Sequence, residues 1–240
     1  MPADWLDANV LADDSGSCVD YQVTFLGAPF AARSQGDVMT SMAIRDQVDD
    51  HLLTPKNCAL IVIDYQPVQV GSVASMDRRE LVTNIVAVAR TAKLYGVPVV
   101  LSTVNVKTGA NQPTIHQLAD VLDGIGTFDR TTINAWEDGE FLNAVKATGR
   151  KKLLMTALWT EACLNFPTLD AIREGYEVYP IVDAVGGTSV EAHRAALDRM
   201  IQAGARPTSW VQVLCELQRD WSRKETSRPF AEILFAVEGR

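Results

Sequence analysis

Apolar and polar positions along the chain form alternating blocks that predict strands and helices in turn. Short, almost wholly apolar runs predict buried strands over residues 58–64, 97–104, 153–158, 177–183 and 208–214. Between them, apolar residues recur at three- and four-residue spacing and predict helices over residues 76–95, 115–122, 140–148, 163–173 and 190–203. The segment 127–136 has neither period and is interpreted as a loop of the kind that carries function.

This alternation predicts an α/β protein: a three-layer α/β/α sandwich around a mainly parallel, Rossmann-like sheet. We expect one domain over residues 55–221, preceded by an N-terminal extension over 1–54 and followed by a C-terminal arm over 222–240. The extension is expected to pack on the domain or on a neighbouring subunit. The tail is apolar enough to dock as an arm.

Composition narrows the possible partners. The 240 residues are 47% hydrophobic and 22% charged, with a formal net charge of -8, which argues against nucleic-acid binding and against anionic membrane surfaces. No apolar run approaches the roughly 20 residues that span a bilayer. The N-terminus has no signal-peptide pattern, and the four cysteines form no CxxC or Cys/His cluster, so a cytoplasmic protein without disulfides is expected.

Cys163 is the first candidate for chemistry, because it lies where the strand over 153–158 gives way to a helix. Free backbone N–H groups and the helix dipole at such a junction favour negative charge, which predicts a lowered thiol pKa and a nucleophilic cysteine. The alternative is a small apolar core residue.

Two further candidates converge on the same edge of a parallel sheet. Asp64 closes the strand over 58–64, and Arg130 lies in the segment 127–136. A carboxylate there can accept the thiol proton, a cation can stabilise the thiolate, and the backbone N–H groups of Ala162 and Cys163 can meet an oxyanion. The alternatives are a helix-capping Asp64 and a surface ion pair of Arg130 with Asp129 or Glu137.

Several motifs resemble the isochorismatase-like cysteine hydrolases, in particular the YcaC-type branch. These are ALIVIDYQ, INAW, KATGRKKLLMTALWTEACLNFPTLDAIREGYEVYPIVDAVGG, DRMIQAGARPTSW and CELQRDW, which together cover residues 55–221. The resemblance implies a three-layer fold, an oligomer, an Asp–Lys–Cys triad and hydrolysis of C–N bonds in small amides. It places the family aspartate on Asp64, the nucleophile on Cys163, and a non-proline cis peptide between Trp159 and Thr160.

The chain departs from that family at two points. The family lysine position holds Arg130, which cannot carry a proton, and Lys107 is a weaker candidate for the same role. The Asp-x-His metal motif of the nicotinamidase branch is replaced by residues 103–107, TVNVK. We therefore expect no catalytic metal and no cofactor.

The predicted function is a cysteine hydrolase acting on a small-molecule amide. Residues expected to line the substrate pocket are Gln66, Asn105, Trp136 and Phe166, although Trp136 and Trp159 also fit a core or subunit interface. Two other functions remain open: a redox-sensitive thiol protein without hydrolytic activity, and a homo-oligomeric assembly unit whose two terminal segments act as exchange arms.

Overall fold

The computed structural model describes residues 45–238, and within this range the chain forms five strands and eight α-helices. The strands are β1 (Cys58–Ile63), β2 (Val99–Val104), β3 (Thr127–Arg130), β4 (Lys152–Ala157) and β5 (Glu177–Pro180). The helices are α1 (Pro67–Gly71), α2 (Arg78–Tyr95), α3 (His116–Val121), α4 (Gly139–Ala147), α5 (Asn165–Arg173), α6 (Val190–Gln202), α7 (Trp210–Gln218) and α8 (Lys224–Glu238).

All four strand pairings are parallel, in the order β3-β2-β1-β4-β5, so every strand ends at the same edge. The two central strands β1 and β4 are buried along their whole length because both faces of the sheet are covered. Leu60 and Val62 pack into one core with α2, α7 and α8, whereas the alternate residues Ile61 and Ile63 pack into a second core with α4 and α5. The predicted three-layer sandwich is confirmed.

Two predicted elements were wrong. The segment predicted as a loop contains β3, whose residues pair with β2 from Leu101↔Thr127 to Val104↔Arg130. Its partly exposed edge position explains why the segment lacks an apolar run.

The segment predicted as a last strand is instead helix α7. Ser209 caps it by accepting a hydrogen bond from Gln212 N–H, and the buried residues recur at helical spacing: Trp210, Val213, Leu214 and Leu217. Only Thr208 keeps a strand-like contact, as an isolated parallel bridge to Ile181.

The predicted C-terminal arm forms α8, which packs against α2 and α7 of the same chain. Phe230 is 1% exposed in the first core, and its ring makes an edge contact with Trp221 at 4.9 Å between ring centroids. Within residues 45–238, no helix is long and apolar enough to cross a membrane.

Part of the predicted N-terminal extension also contacts the domain. Lys152 at the start of β4 is buried, and its Nζ donates to the carbonyl oxygens of Asp50, His51 and Leu52. The described part of the extension is therefore tied to the sheet. Its remainder, residues 1–44, lies outside the described residues.

Candidate active site

Asp64 lies immediately after β1, at the carboxyl edge of the sheet. Its backbone adopts a left-handed conformation with φ 62°, and its N–H donates to Ser102 O at 3.0 Å. A left-handed non-glycine residue is uncommon, and such residues concentrate at functional sites. The carboxyl group is fully buried.

Arg130, the last residue of β3, is the partner of Asp64. Its Nη1 and Nη2 each donate to one carboxylate oxygen at 2.7 Å, and both side chains are fully buried. Arg130 also donates to Ser102 Oγ and to the carbonyl oxygens of Thr103 and Ile133. Burial alone would lower the pKa of Arg130, but the hydrogen bonds and charge of Asp64 raise it. The alternative of a surface ion pair is excluded by this geometry.

Cys163 lies in a π-helical turn, Thr160–Leu164, that separates β4 from α5. We refer to this segment as the cysteine turn. π-Helical turns are rare and occur frequently at functional sites. The predicted helix start at Cys163 is therefore two residues too early, because α5 begins at Asn165.

The predicted lowering of the Cys163 pKa was wrong. Burial, followed by the negative charge of Asp64 and a hydrogen bond with it, raises the pKa of Cys163 to about 12. The charge of Arg130 and a backbone hydrogen bond with Trp159 act in the opposite direction but do not prevail. Arg130 is shared with Asp64, and its effect on the Cys163 pKa is smaller than the opposing effects of burial and Asp64. The raised pKa favours the neutral thiol over a pre-formed thiolate.

The backbone around the cysteine turn also differs from expectation. The non-proline cis peptide joins Leu158 to Trp159, so the predicted position between Trp159 and Thr160 was one residue too late. Leu158 still belongs to the sheet edge, since its N–H donates to Ile63 O and it bridges Gly186.

Of the two backbone N–H groups proposed to meet an oxyanion, those of Ala162 and Cys163, the first is already occupied. Ala162 N–H donates to Trp159 O at 3.2 Å, and Thr160 N–H donates to Gly186 O at 3.0 Å. A role for Ala162 as an oxyanion donor stays a prediction that requires this contact within the turn to open.

Side chains also anchor the start of the cysteine turn. Trp159 Nε1 donates to Ser72 Oγ at 2.8 Å, and the buried Thr160 Oγ1 lies 2.9 Å from His193 Nδ1. Trp159 is half-buried, and its hydrogen bond connects the turn to the segment after α1. The contact of Thr160 with His193 connects the turn to α6.

The predicted pocket residues occupy very different environments. Gln66 is fully buried and bonded to the backbone of Val104 and Gln112, so its side chain holds the segment after β2 in place. Trp136 packs in the second core with edge contacts to Phe141 and Tyr176, in agreement with the core alternative.

Asn105 and Phe166 are half-buried. Asn105 follows β2 with a left-handed φ of 61°, and its N–H donates to Arg130 O at 2.8 Å. Phe166 lies in the first turn of α5, three residues after Cys163. Their roles as substrate contacts stay predictions.

Lys107 does not reach the pair formed by Asp64 and Arg130. It is exposed, and its backbone N–H donates to Asp129 Oδ2 at 2.8 Å. Sequence reasoning missed Ser102, which is fully buried in β2 and accepts a hydrogen bond from Arg130. Its signal was available, because a hydroxyl in the apolar strand VVLSTV requires a buried hydrogen-bond partner.

Among the described residues, no group of three or more histidine, cysteine, aspartate or glutamate side chains is arranged to hold a metal ion.

The fold and site together define a Rossmann-like α/β/α protein with a cysteine beside a buried Asp–Arg pair at the carboxyl edge of its sheet. The chain belongs to the isochorismatase family of hydrolases: the model of the Isochorismatase domain matches residues 58–212. It is 35% identical over 170 residues to the probable hydrolase YcaC of Escherichia coli, which covers 70% of this chain and 81% of that protein.

Two solved structures have the same fold. YcaC from Pseudomonas aeruginosa, solved with hexane-2,5-diol and covalent acrylamide, has a TM-score of 0.69 and 31% identity and covers 78% of this chain and 96% of that chain. The Escherichia coli YcaC structure, described as an octameric hydrolase of unknown specificity, has a TM-score of 0.69 and 30% identity and covers 79% of this chain and 98% of that chain.

Proposed function

We propose that this protein is a metal-independent cysteine hydrolase that cleaves a C–N bond of a small-molecule amide through a thioester on Cys163. The observation that carries the proposal is the buried Asp64 carboxylate, which Arg130 fixes with two 2.7 Å hydrogen bonds and which lies within hydrogen-bonding reach of the Cys163 thiol. A thiol with a raised pKa needs a neighbouring base to attack a carbonyl, and we assign that role to Asp64.

The proposed reaction has two steps, acylation of Cys163 and hydrolysis of the resulting thioester. Asp64 accepts the thiol proton while Cys163 Sγ forms a bond to the carbonyl carbon, which gives a tetrahedral oxyanion. The C–N bond then breaks, the amine takes the proton from Asp64, and a thioester remains. Water attacks the thioester and gives its proton to Asp64, which returns it to the departing sulfur. Arg130 remains protonated throughout and orients the carboxylate.

The raised pKa of Cys163 favours this reading over the redox-sensitive thiol. Redox-sensor cysteines are exposed and have low pKa values, because the thiolate is the reactive form. Cys163 has a pKa of about 12 and is half-buried. The covalent acrylamide in the Pseudomonas aeruginosa relative does not separate the two functions, because acrylamide adds to a thiol through its C=C bond and keeps its amide intact.

Trapping of the covalent intermediate tests the proposal. We expect intact-mass measurement across a library of small amides and esters to find an acyl group on wild-type protein and on Cys215→Ala, a matched exposed cysteine. Cys163→Ala should acquire no acyl group and turn over no substrate while it keeps its melting temperature. Full turnover in folded Cys163→Ala would contradict the proposal.

The absence of a catalytic metal and the assembly state are separate parts of the proposal. Elemental analysis should find no stoichiometric zinc or iron in active protein.

By analogy with the octameric Escherichia coli relative, we also propose a homo-oligomer, which light scattering would measure. A monomeric mass at working concentration would exclude it. The free thiols and the acidic net charge fit a small-molecule enzyme of the reducing cytoplasm.

A further inference from the structure

Glu161, two residues before Cys163, makes contacts that the proposed chemistry does not explain. Its Oε1 accepts two hydrogen bonds from a single residue: one from Thr188 N–H at 3.0 Å and one from Thr188 Oγ1 at 2.6 Å. Its Oε2 is buried and has no hydrogen-bond partner among the described residues. A buried carboxylate oxygen without a partner costs free energy, so its retention indicates that the position of this side chain is constrained.

The segment opposite is shaped to receive that carboxylate. A Cβ on Gly187 would lie 2.6 Å from Glu161 Oε2 and 3.1 Å from His193 Cβ, so a side chain there would require the carboxylate to move from its present position. The segment is itself anchored, because Gly187 N–H donates to Ser75 Oγ at 2.9 Å and Gly187 O accepts from Ala74 N–H at 3.0 Å. Glu161 thus connects the cysteine turn to a loop that is fixed from its far side.

The start of the cysteine turn is anchored through Trp159 and Thr160, and Glu161 supplies a further external connection closer to Cys163. Two of its own hydrogen bonds, from Ala162 N–H and Leu164 N–H, converge on the single carbonyl of Trp159, each at 3.2 Å. Two long hydrogen bonds that share one acceptor hold a π-helical turn weakly. The Glu161–Thr188 contact adds two shorter hydrogen bonds, both accepted by a carboxylate oxygen. Hydrogen bonds to an ionised carboxylate are stronger than those between neutral groups.

We propose that Glu161 is a positioning residue that holds Cys163 at the attack distance from a bound carbonyl by fixing the cysteine turn to Thr188. This inference rests on the proposed function, because it assigns Glu161 a role in the acylation step. Glu161 does not touch substrate in this account and acts only through the turn. A small displacement of a nucleophile is sufficient to slow attack strongly.

The test measures the burst of p-nitrophenol released from p-nitrophenyl acetate, with the acetyl group on Cys163 assigned by peptide mass. For Glu161→Ala we expect the maximal burst rate to fall about 10- to 100-fold, the loss typical of a misplaced reacting group, with the half-saturating ester concentration unchanged. Glu161→Gln keeps the acceptor oxygen for Thr188, so its burst rate should stay within about threefold of wild type. Glu191→Ala, which removes an exposed glutamate in the first turn of α6, is the matched control and should leave the burst unchanged.

Melting temperatures separate positioning from loss of the fold. If Glu161→Ala does not fold, Thr188→Val carries the test, because it removes the hydroxyl donor and keeps the N–H donor; its burst rate should fall about threefold. A wild-type burst rate in folded Glu161→Ala or Thr188→Val would overturn the positioning role alone. Equal losses in Glu161→Gln and Glu161→Ala would overturn the hydrogen-bond account. A wild-type protein that acquires no acetyl group on Cys163 would overturn the proposed function, and the positioning role with it.

Discussion

Replacement of Arg130 by methionine should destabilise the protein strongly, because it leaves the Asp64 carboxylate buried without its counter-charge. Both side chains of the pair are fully buried and joined by two 2.7 Å hydrogen bonds. Removal of one partner from a buried ion pair costs about 3–5 kcal/mol, since the remaining charge stays desolvated. In a chain of this size that corresponds to a decrease in melting temperature of about 6–20 °C.

The double variant Asp64→Asn/Arg130→Met removes both charges and identifies the cause. Its destabilisation should be smaller than the sum of the two single losses, with a coupling free energy of about 1–3 kcal/mol. Arg206→Met is the matched control, because Arg206 pairs with Glu177 at the surface, where the side chains are 58% and 38% exposed. That variant should lose less than about 1 kcal/mol.

Urea unfolding, followed by tryptophan fluorescence at one protein concentration, measures the free energy of unfolding of wild type, of the two single variants, of the double variant and of Arg206→Met. A loss below about 1 kcal/mol in Arg130→Met, or additive losses in the double variant, would refute the reasoning. The first result would mean that water reaches Asp64 when Arg130 is absent. The second would mean that the two side chains do not stabilise each other.

Three further predictions concern the thiol, the tryptophan and the last helix. With a Cys163 pKa of about 12, the alkylation rate of this residue by iodoacetamide should rise about tenfold per pH unit from about pH 7 to about pH 10, and a plateau near the ordinary value of 9.0 would contradict the burial argument. Trp136→Phe removes the Nε1 hydrogen bond to Glu174 and should cost about 1–2 kcal/mol in urea unfolding without slowing acylation; slower acylation in folded protein would restore its substrate role. Phe230→Ala should cost about 3–5 kcal/mol, whereas Phe235→Ala on the exposed side of α8 should cost less than about 0.5 kcal/mol, and equal losses would show that α8 does not pack as described.

Local sequence signals predicted the site best where a residue follows a strongly apolar strand. Asp64 and Cys163 were both located this way, because the end of a parallel strand fixes the edge of the sheet at which the next residue lies. Edge strand β3 escaped prediction because partial exposure weakens its apolar pattern. Helix α7 was misassigned because its first residues, Trp210 and Val211, suit a strand as well as a helix.

The electrostatics of the site could not be read from the same signals. The helix-start argument predicted a lowered pKa for Cys163, whereas burial and Asp64 raise it. Arg130 pairs with Asp64, 66 residues away in the chain, and the lowering effect of its charge on the Cys163 pKa is outweighed by burial and by Asp64. The amount of water left around a group is likewise a property of the packed molecule.

The sequence by itself determined the alternation of strands and helices, the carboxyl edge of the sheet, and the types of side chain available there. Periodicity and strand ends are local, so a linear pattern is sufficient to specify them. Only the tertiary structure decided that Arg130 pairs with Asp64, that the cis peptide follows Leu158, and that Glu161 connects the cysteine turn to Thr188. The two pairings depend on contacts between segments far apart in the chain, and their strength depends on how much water those contacts exclude.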